Sequence, residues 1–181
     1  MKLFEEKTIT RKSIFKGRVI EVAVDEVELP NGEQSSRELV FHGGAVAIIP
    51  VTSDGKIILV EQYRKALERS IIEIPAGKLE KDEDPLVCAK RELEEETGYV
   101  SNEPLELLTS MYVSPGYGNE IVHIYFARNV EEIDNKAPLD EDEFVETHFV
   151  TLEEMAEMVR DNRIQDAKTL YAYLYLVQKN S

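Results

Sequence analysis

The sequence has 181 residues, of which 43% are hydrophobic and 31% are charged, and its formal net charge is −15. This length and composition indicate one domain, or one domain with an extension, and enough residues for a substantial core. The excess of acid disfavours nucleic acid as a partner, because the phosphate backbone is itself anionic. The single cysteine, Cys88, excludes an internal disulfide, and its helical surroundings indicate a small buried residue.

The sequence contains no pattern typical of a membrane span or a secretion signal. The longest apolar run, from Ala45 to Val51, is far shorter than a transmembrane helix. The first ten residues lack the apolar segment of a signal peptide. We therefore expect a cytoplasmic protein that does not bind membranes.

The first part of the chain is predicted to be β structure. Residues 7–42 alternate in polarity or run apolar, and Pro30-Asn31-Gly32 is typical of a hairpin turn. Three apolar strands are then predicted, at residues 44–51, 57–62 and 70–77. We expect Pro75 and Gly77 to end the third of these strands.

After Gly77 the apolar residues change to helical spacing. A helix is predicted up to Thr97, with Asp84 as its N-cap, Pro85 at its first position and Gly98 after its end. Three more strands are predicted, at residues 105–112, 120–127 and 146–151. Two helices follow, one opening with a capping box at residues 151–154 and one covering residues 167–179.

This order of elements predicts an α/β (α+β) domain with a mixed sheet, because strands and helices do not alternate regularly. We expect residues 1–42 to form an N-terminal β extension and residues 43–181 to form the main domain. Residues 131–144 are predicted to be a polar, acidic loop.

The predicted helix carries an unusual density of acid in the segment RELEEETG, residues 91–98. Glu92 and Glu96 are four residues apart, and Glu95 lies beside them, so the three carboxylates project from one helix face. Like charges at this spacing destabilise a helix by about 0.2–0.5 kcal/mol per pair. A bound Mg²⁺ or Mn²⁺ ion would reverse that repulsion, since these ions prefer oxygen ligands. The sequence therefore predicts a site for a divalent cation.

The helix and the loop before it resemble the signature of the Nudix hydrolases, G-x5-E-x7-R-E-U-x-E-E-x-G-U, where U is bulky and aliphatic. All seven fixed positions of this Nudix box, residues 77–99, are occupied by the expected residues: Gly77, Glu83, Arg91, Glu92, Glu95, Glu96 and Gly98. Tyr99 departs from the pattern, because it is bulky but not aliphatic. The resemblance implies the Nudix fold, a mixed sheet sandwiched between helices, and hydrolysis of a diphosphate that links a nucleoside to another group.

The resemblance also implies roles for individual residues. Glu92 and Glu96 would bind Mg²⁺, with Mn²⁺ as a possible substitute, together with the backbone carbonyl of Ala76. Glu95 would be a further ligand or a bridge, and Arg91 would orient the glutamates through Glu83 and Glu95.

Residues outside the motif are similar to those of the ADP-ribose pyrophosphatase branch of this family. That branch has a proline at the position of Pro115, which is followed here by Gly116. The resemblance implies that Arg64, at the end of a strand, and Glu120 bind the substrate. It also implies that Arg37 of the extension reaches the site of a second subunit, so a homodimer is expected. Phe15 and Arg18 are candidates for contact with adenine.

The acidic loop is similar in position and context to a loop of that branch that carries a catalytic base. By this resemblance Glu141 is the base and Glu143 a further metal ligand, although the two roles could be exchanged.

We therefore expect a Mg²⁺-dependent enzyme that hydrolyses ADP-ribose to AMP and ribose 5-phosphate. One alternative is a Nudix hydrolase of another nucleoside diphosphate sugar or of a dinucleotide. Another is an ADP-ribose sensor without catalytic activity, which the intact glutamates disfavour. No phosphate-binding P-loop and no nucleophilic G-x-S-x-G motif occurs in the sequence.

Overall fold

The computed structural model describes residues 3–134 and 144–180. Its elements divide into two compact units, which are described separately. The first unit comprises Met1–Gly44 and Met111–Ile121, and the second comprises Ala45–Ser110 and Val122–Ser181.

The first unit is built on a three-stranded antiparallel sheet with the order β1-β2-β3. Its strands are β1 (Lys7–Lys16), β2 (Ile20–Glu28) and β3 (Gln34–His42). Gly32, with φ of 85°, lies in the turn between β2 and β3, where a residue with a side chain would be strained. Every residue of β1 is exposed, whereas β2 buries Ala23, Asp25 and Val27.

The second unit is built on an eight-stranded sheet. Its strands are β4 (Ala45–Thr52), β5 (Ile57–Arg64), β6 (Arg69–Glu73), β7 (Ala76–Lys78), β8 (Tyr99–Ser101), β9 (Glu106–Tyr112), β10 (Ile121–Glu132) and β11 (Val145–Val150). The central order is β11-β5-β4-β10-β8, with β6 beside β5, β7 beside β4 and β9 beside β10. The pairing of β10 with β4 is parallel and that of β4 with β7 is antiparallel, so the sheet is mixed, as predicted.

Three helices accompany this sheet: α1 (Pro85–Thr97), α2 (Leu152–Arg160) and α3 (Ala167–Lys179). Helix α1 packs through Cys88, Ala89 and Leu93 into a cluster that also contains Tyr125 of β10. Helix α3 meets the next residue of β10, because the rings of Phe126 and Tyr175 lie 5.6 Å apart. Successive strand residues point to opposite faces, so helices cover both faces of the sheet.

The limits of the helices agree closely with the sequence prediction. Asp84 accepts hydrogen bonds from the backbone of Leu86 and Val87, Pro85 occupies the first turn, and Gly98 ends α1 with φ of 76°. Thr151 and Glu154 form the predicted capping box of α2. Cys88 is fully buried, as its pattern indicated.

Several strand limits were wrong. The single strand expected at residues 70–77 is two strands, β6 and β7, which pair with different neighbours, β5 and β4. The change of partner occurs at Ile74 and Pro75, and Pro75 has no backbone N–H with which to continue a ladder. Strand β8 and the short 3-10 helix at Lys65–Leu67 were not predicted. Among the described residues, no helix is long and apolar enough to cross a membrane.

Candidate active site

The site predicted from the sequence is a strand, a loop and a helix that fold back on one another. β7 supplies Ala76 and Gly77, and α1 supplies the carboxylates of the RELEEETG segment. Glu92 and Glu96 are buried although they carry charge, with 8% and 2% of their surfaces exposed. Buried carboxylates require polar partners, and here Arg91 donates to Glu92 while the backbone N–H of Ala76 in β7 donates to Glu96.

Gly77 lies directly against the carboxylate of Glu92. A Cβ atom built on Gly77 would stand 1.8 Å from Cδ of Glu92, which is far inside van der Waals contact. Beside it, the backbone N–H of Ala76 donates a hydrogen bond of 2.8 Å to Oε2 of Glu96. The absence of a side chain at Gly77 therefore lets the Glu92 carboxylate approach the backbone of β7, and the N–H of Ala76 holds the Glu96 carboxylate at the same strand.

Arg91 connects the acidic residues of the loop and the helix. Its Nη1 donates hydrogen bonds of 2.8 Å to both Glu92 and Glu95. Its Nε and Nη2 donate to the two carboxylate oxygens of Glu83, at 3.2 and 3.3 Å. One guanidinium thus holds three acidic side chains in fixed positions.

The same contacts change the acidity of these groups. Burial opposes the charge of Arg91, but the hydrogen bond with Glu83 and the charge of Glu92 outweigh it and raise the pKa of Arg91. Burial likewise opposes ionisation of Glu83, but the hydrogen bonds from Arg91 and from the backbone of Glu80 act together with the charge of Arg91 and lower the pKa of that carboxyl. Burial and the neighbouring Glu83 raise the pKa of the Cys88 thiol to about 12, so Cys88 stays protonated at neutral pH.

The donor set at β7 fits a hard divalent cation. Two carboxylates lie against the backbone at Ala76 and Gly77, and such oxygen ligands suit Mg²⁺ and Mn²⁺. Within the part of the chain that is described, no three acidic, histidine or cysteine side chains are gathered as a metal cluster. Arg91 engages Glu92 and Glu95 instead, so the cationic guanidinium balances part of the negative charge.

Arg64, a predicted substrate-binding residue, also lies in the second unit, at the end of β5. Its Nε and Nη2 donate to the two oxygens of Glu73, at 2.6 and 2.9 Å. Gln62, two residues earlier on the same face of β5, lies 3.5 Å from Oε1 of Glu96. The Gln62–Glu96 contact thus connects this face of β5 with helix α1.

The other predicted substrate-binding residues belong to the first unit. Arg37 of β3 forms two hydrogen bonds with Glu6, at 2.8 and 2.5 Å. Pro115 and Gly116 lie in a tight turn in which the N–H groups of Tyr117 and Gly118 both donate to the carbonyl of Ser114. Gly116 has open space around it, since an added Cβ would meet no atom within 4 Å.

Glu120 lies 3.6 Å from Nδ1 of His42, and both residues are in the first unit. That nitrogen already accepts a hydrogen bond of 3.1 Å from the backbone of Gly44. The carboxylate of Glu120 is about one-third exposed.

The predicted catalytic base and loop ligand, Glu141 and Glu143, lie outside the described residues. Their assignment thus stays a prediction.

Three polar residues near the site were not identified from the sequence: Gln62, Glu73 and Lys168. Glu73 is 2% exposed and receives hydrogen bonds from Arg64 and from Lys168 at the start of α3. A signal for Glu73 was present, because a glutamate inside the apolar segment SIIEIP needs a cationic partner. The identity of that partner was not readable, since Lys168 is 95 positions away.

Comparison with protein families identifies the class to which this fold and site belong. A family model described as the NUDIX domain matches residues 41–174. A model described as the nucleoside diphosphate sugar hydrolase N-terminal domain matches residues 6–40. The chain belongs to the Nudix family, and the resemblance found in the Nudix box is confirmed.

Individual relatives extend over nearly the whole chain. An ADP-ribose pyrophosphatase from Bacillus subtilis is 54% identical over 181 residues, covering 100% of this chain and 97% of the relative. A methanol dehydrogenase activator from Bacillus methanolicus is 57% identical over 175 residues, covering 97% of this chain and 94% of the relative.

A solved structure, described as the crystal structure of ADP compounds hydrolase, matches with a TM-score of 0.83. It covers 99% of this chain and 95% of that chain at 23% sequence identity. This similarity confirms the predicted fold.

Proposed function

We propose that this protein hydrolyses the diphosphate of ADP-ribose, with water and a divalent cation, to AMP and ribose 5-phosphate. The observation that carries the proposal is the approach of two buried carboxylates, Glu92 and Glu96, to the backbone of β7. The substrate follows from the full-length similarity to a protein named ADP-ribose pyrophosphatase.

We further propose Mg²⁺ as the ion, held by Glu92, Glu96 and the carbonyl of Ala76. When bound, such an ion lowers the pKa of a coordinated water and neutralises phosphate charge. Arg91 keeps Glu92 and Glu95 in place through two short hydrogen bonds, which limits the reorganisation that metal binding requires. Glu95 is the further ligand or bridge in this scheme.

The substrate contacts in this proposal are Arg37, which is supplied by a second subunit, and Arg64, Pro115, Gly116 and Glu120. Arg64 and Arg37 are cationic and suit the phosphates, while Glu120 can accept hydrogen bonds from ribose hydroxyls. Pro115 and Gly116 form the turn that leads to Glu120, and Gly116 leaves space for a ligand. Glu141 would take the proton of the attacking water and Glu143 would be a loop ligand, with the exchange of their roles still open.

The homodimer and the cytoplasmic location are further parts of the proposal. The fully exposed strand β1 carries large apolar residues, including Ile9, Ile14 and Phe15, which are 47%, 54% and 55% exposed. A second copy of the chain would remove this apolar surface from water.

The test is to incubate the purified protein with ADP-ribose and Mg²⁺, with and without a chelator, beside other nucleoside diphosphate compounds. Chromatography should resolve AMP and ribose 5-phosphate, formed fastest from ADP-ribose and lost on chelation. Faster turnover of another compound would keep the metal site and replace the substrate. Binding of ADP-ribose without turnover would favour the sensor.

The name of the second relative supports another candidate function, activation of a dehydrogenase. The observation that favours it is 57% identity to a methanol dehydrogenase activator over nearly the whole chain. Purified methanol dehydrogenase should then turn over faster when this protein is added. An unchanged rate would remove this candidate and leave ADP-ribose hydrolysis standing.

A further inference from the structure

Glu73 and Arg64 lie together because of the register of two strands. In the antiparallel pair, Glu73 of β6 stands opposite Val60 of β5. Every second residue of a strand points to the same face, so Arg64 shares a face of β5 with Gln62 and Val60. The side chain of Arg64 extends along that face toward Glu73. The two side chains meet through two parallel hydrogen bonds, of 2.6 and 2.9 Å.

The charges around Glu73 are arranged as a compensated group. The Glu73 side chain is 2% exposed, and Lys168, which also donates to it, is 13% exposed. Lys168 pairs in addition with Asp166 at 3.0 Å. Two acids and two bases therefore balance, which a buried carboxylate requires. Arg64 is the most exposed member, with 38% of its side chain accessible.

The pairing leaves one edge of the Arg64 guanidinium available. Glu73 occupies Nε and Nη2, so Nη1 and the second N–H of Nη2 lie outside this pairing. A guanidinium fixed along one edge can present its other N–H groups to a phosphate. The start of α3 also holds Glu73 and its partners in place. The hydroxyl of Thr169 donates to Asp166 and accepts a hydrogen bond from the backbone N–H of Ile74, the residue after Glu73.

Arg64 is also within the electrostatic reach of a predicted metal ligand. Gln62, two residues before Arg64 on the same face of β5, lies 3.5 Å from Oε1 of Glu96. The hydrogen bond with Glu73 raises the pKa of Arg64, burial opposes this, and the charge of Glu96 adds to the rise. A guanidinium released from Glu73 would thus be attracted toward Glu96. There it would compete with a divalent cation for the same carboxylate.

We propose that Glu73, supported by Lys168, is a positioning residue that directs Arg64 toward an anionic group of the substrate and keeps it away from Glu96. This inference rests on the proposed function for its substrate. It assigns Glu73 two effects through Arg64, one on substrate affinity and one on metal affinity.

The central variant is Glu73→Gln, whose amide cannot pair with two cations. We expect the KM for ADP-ribose to rise and the affinity for Mn²⁺, measured by electron paramagnetic resonance, to fall, each about 10-fold. At saturating substrate and metal, kcat should stay within about 3-fold of wild type, because the reacting groups are unchanged.

A double-mutant cycle separates positioning from a general structural role. If Glu73 acts through Arg64, then Glu73→Gln should change KM and Mn²⁺ affinity little when Arg64→Gln is already present. A full effect in both backgrounds would overturn the proposal, as would a lowered melting temperature with unchanged KM and Mn²⁺ affinity. Should Glu73→Gln fail to fold, Lys168→Gln should shift both quantities in the same direction by a smaller factor, and no shift would overturn the proposal.

Asp25→Asn is the matched control. Asp25 is 1% exposed and binds Arg11 through two hydrogen bonds of 2.7 Å, as Glu73 binds Arg64, but it lies in the first unit. This variant should leave Mn²⁺ affinity unchanged. The Mn²⁺ measurement requires no substrate, so failure of the wild type to hydrolyse ADP-ribose would be distinguished from failure of this inference.

Discussion

The two units bury their strands to very different degrees. In the second unit the central residues of β4, Val46 to Pro50, are all buried, because helices cover both faces of the sheet. In the first unit all ten residues of β1 are exposed. The strands of the second unit thus have their packing partners within the chain, whereas the apolar surface of β1 is suited to a partner from outside.

The largest expected effect concerns the buried glutamates of the second unit. Glu96→Gln should keep the fold but reduce kcat by about 100-fold or more, because a neutral amide is a poor metal ligand and outer-shell changes already cost 10–100-fold. The measurement is release of AMP from ADP-ribose at saturating Mg²⁺.

Glu94→Gln on the same helix is the control, since Glu94 is less buried and is not part of the motif. It should retain activity. A wild-type rate for Glu96→Gln would contradict the assignment of Glu96 as a metal ligand.

A smaller but still large effect is expected from Gly77→Ala. The new methyl group would overlap the Glu92 carboxylate, since the built Cβ is 1.8 Å from its Cδ. Overpacking of this kind costs about 1–3 kcal/mol, so both the melting temperature and the activity should fall.

Gly116→Ala, at a position with open space, should leave the melting temperature unchanged. If Gly77→Ala were equally silent, the close approach of Glu92 to β7 would not exist in solution.

Features that depend on neighbouring residues in the chain could be predicted from the sequence. The limits of α1 were correct because its signals are local: Asp84, Pro85 and Gly98 act on the backbone next to them. The spacing of Glu92 and Glu96 was readable for the same reason. Pro75 was expected to interrupt the strand, and it does lie between β6 and β7. The change of partner from β5 to β4 was not predictable, because it depends on contacts that are distant in sequence.

The role of Glu73 could not be predicted, although its charge within an apolar segment was visible. Its partners are Arg64 on the preceding strand and Lys168 on the last helix. A single sequence gives the position of a charge but not the distant residue that compensates it. Arg64 was selected as a substrate ligand, while the carboxylate that holds it was missed.

A moderate effect is expected on the exposed face of the first unit. Ile14→Asp places a charge near the end of β1, where Ile14 is 54% exposed. The predicted homodimer should dissociate, and light scattering should give the 20.7 kDa of one chain. The stability of the single chain should change by less than about 0.5 kcal/mol, since the residue is on the surface.

Lys12→Glu, on the same exposed strand, is the control for added negative charge and should leave the mass unchanged. A wild-type protein that already has the mass of one chain would show that β1 needs no second copy.

The smallest expected effect tests whether the Arg11–Asp25 ion pair stabilises the first unit. The hydrogen bond from Arg11, opposed by burial and assisted by Thr8, lowers the pKa of Asp25. A lowered folded pKa means that the stabilisation is complete above the unfolded value, about 3.9, and is lost as the pH falls through the folded value. The difference in melting temperature between wild type and Asp25→Asn should therefore narrow below about pH 4. A constant difference down to about pH 2 would mean that Asp25 contributes through packing rather than charge.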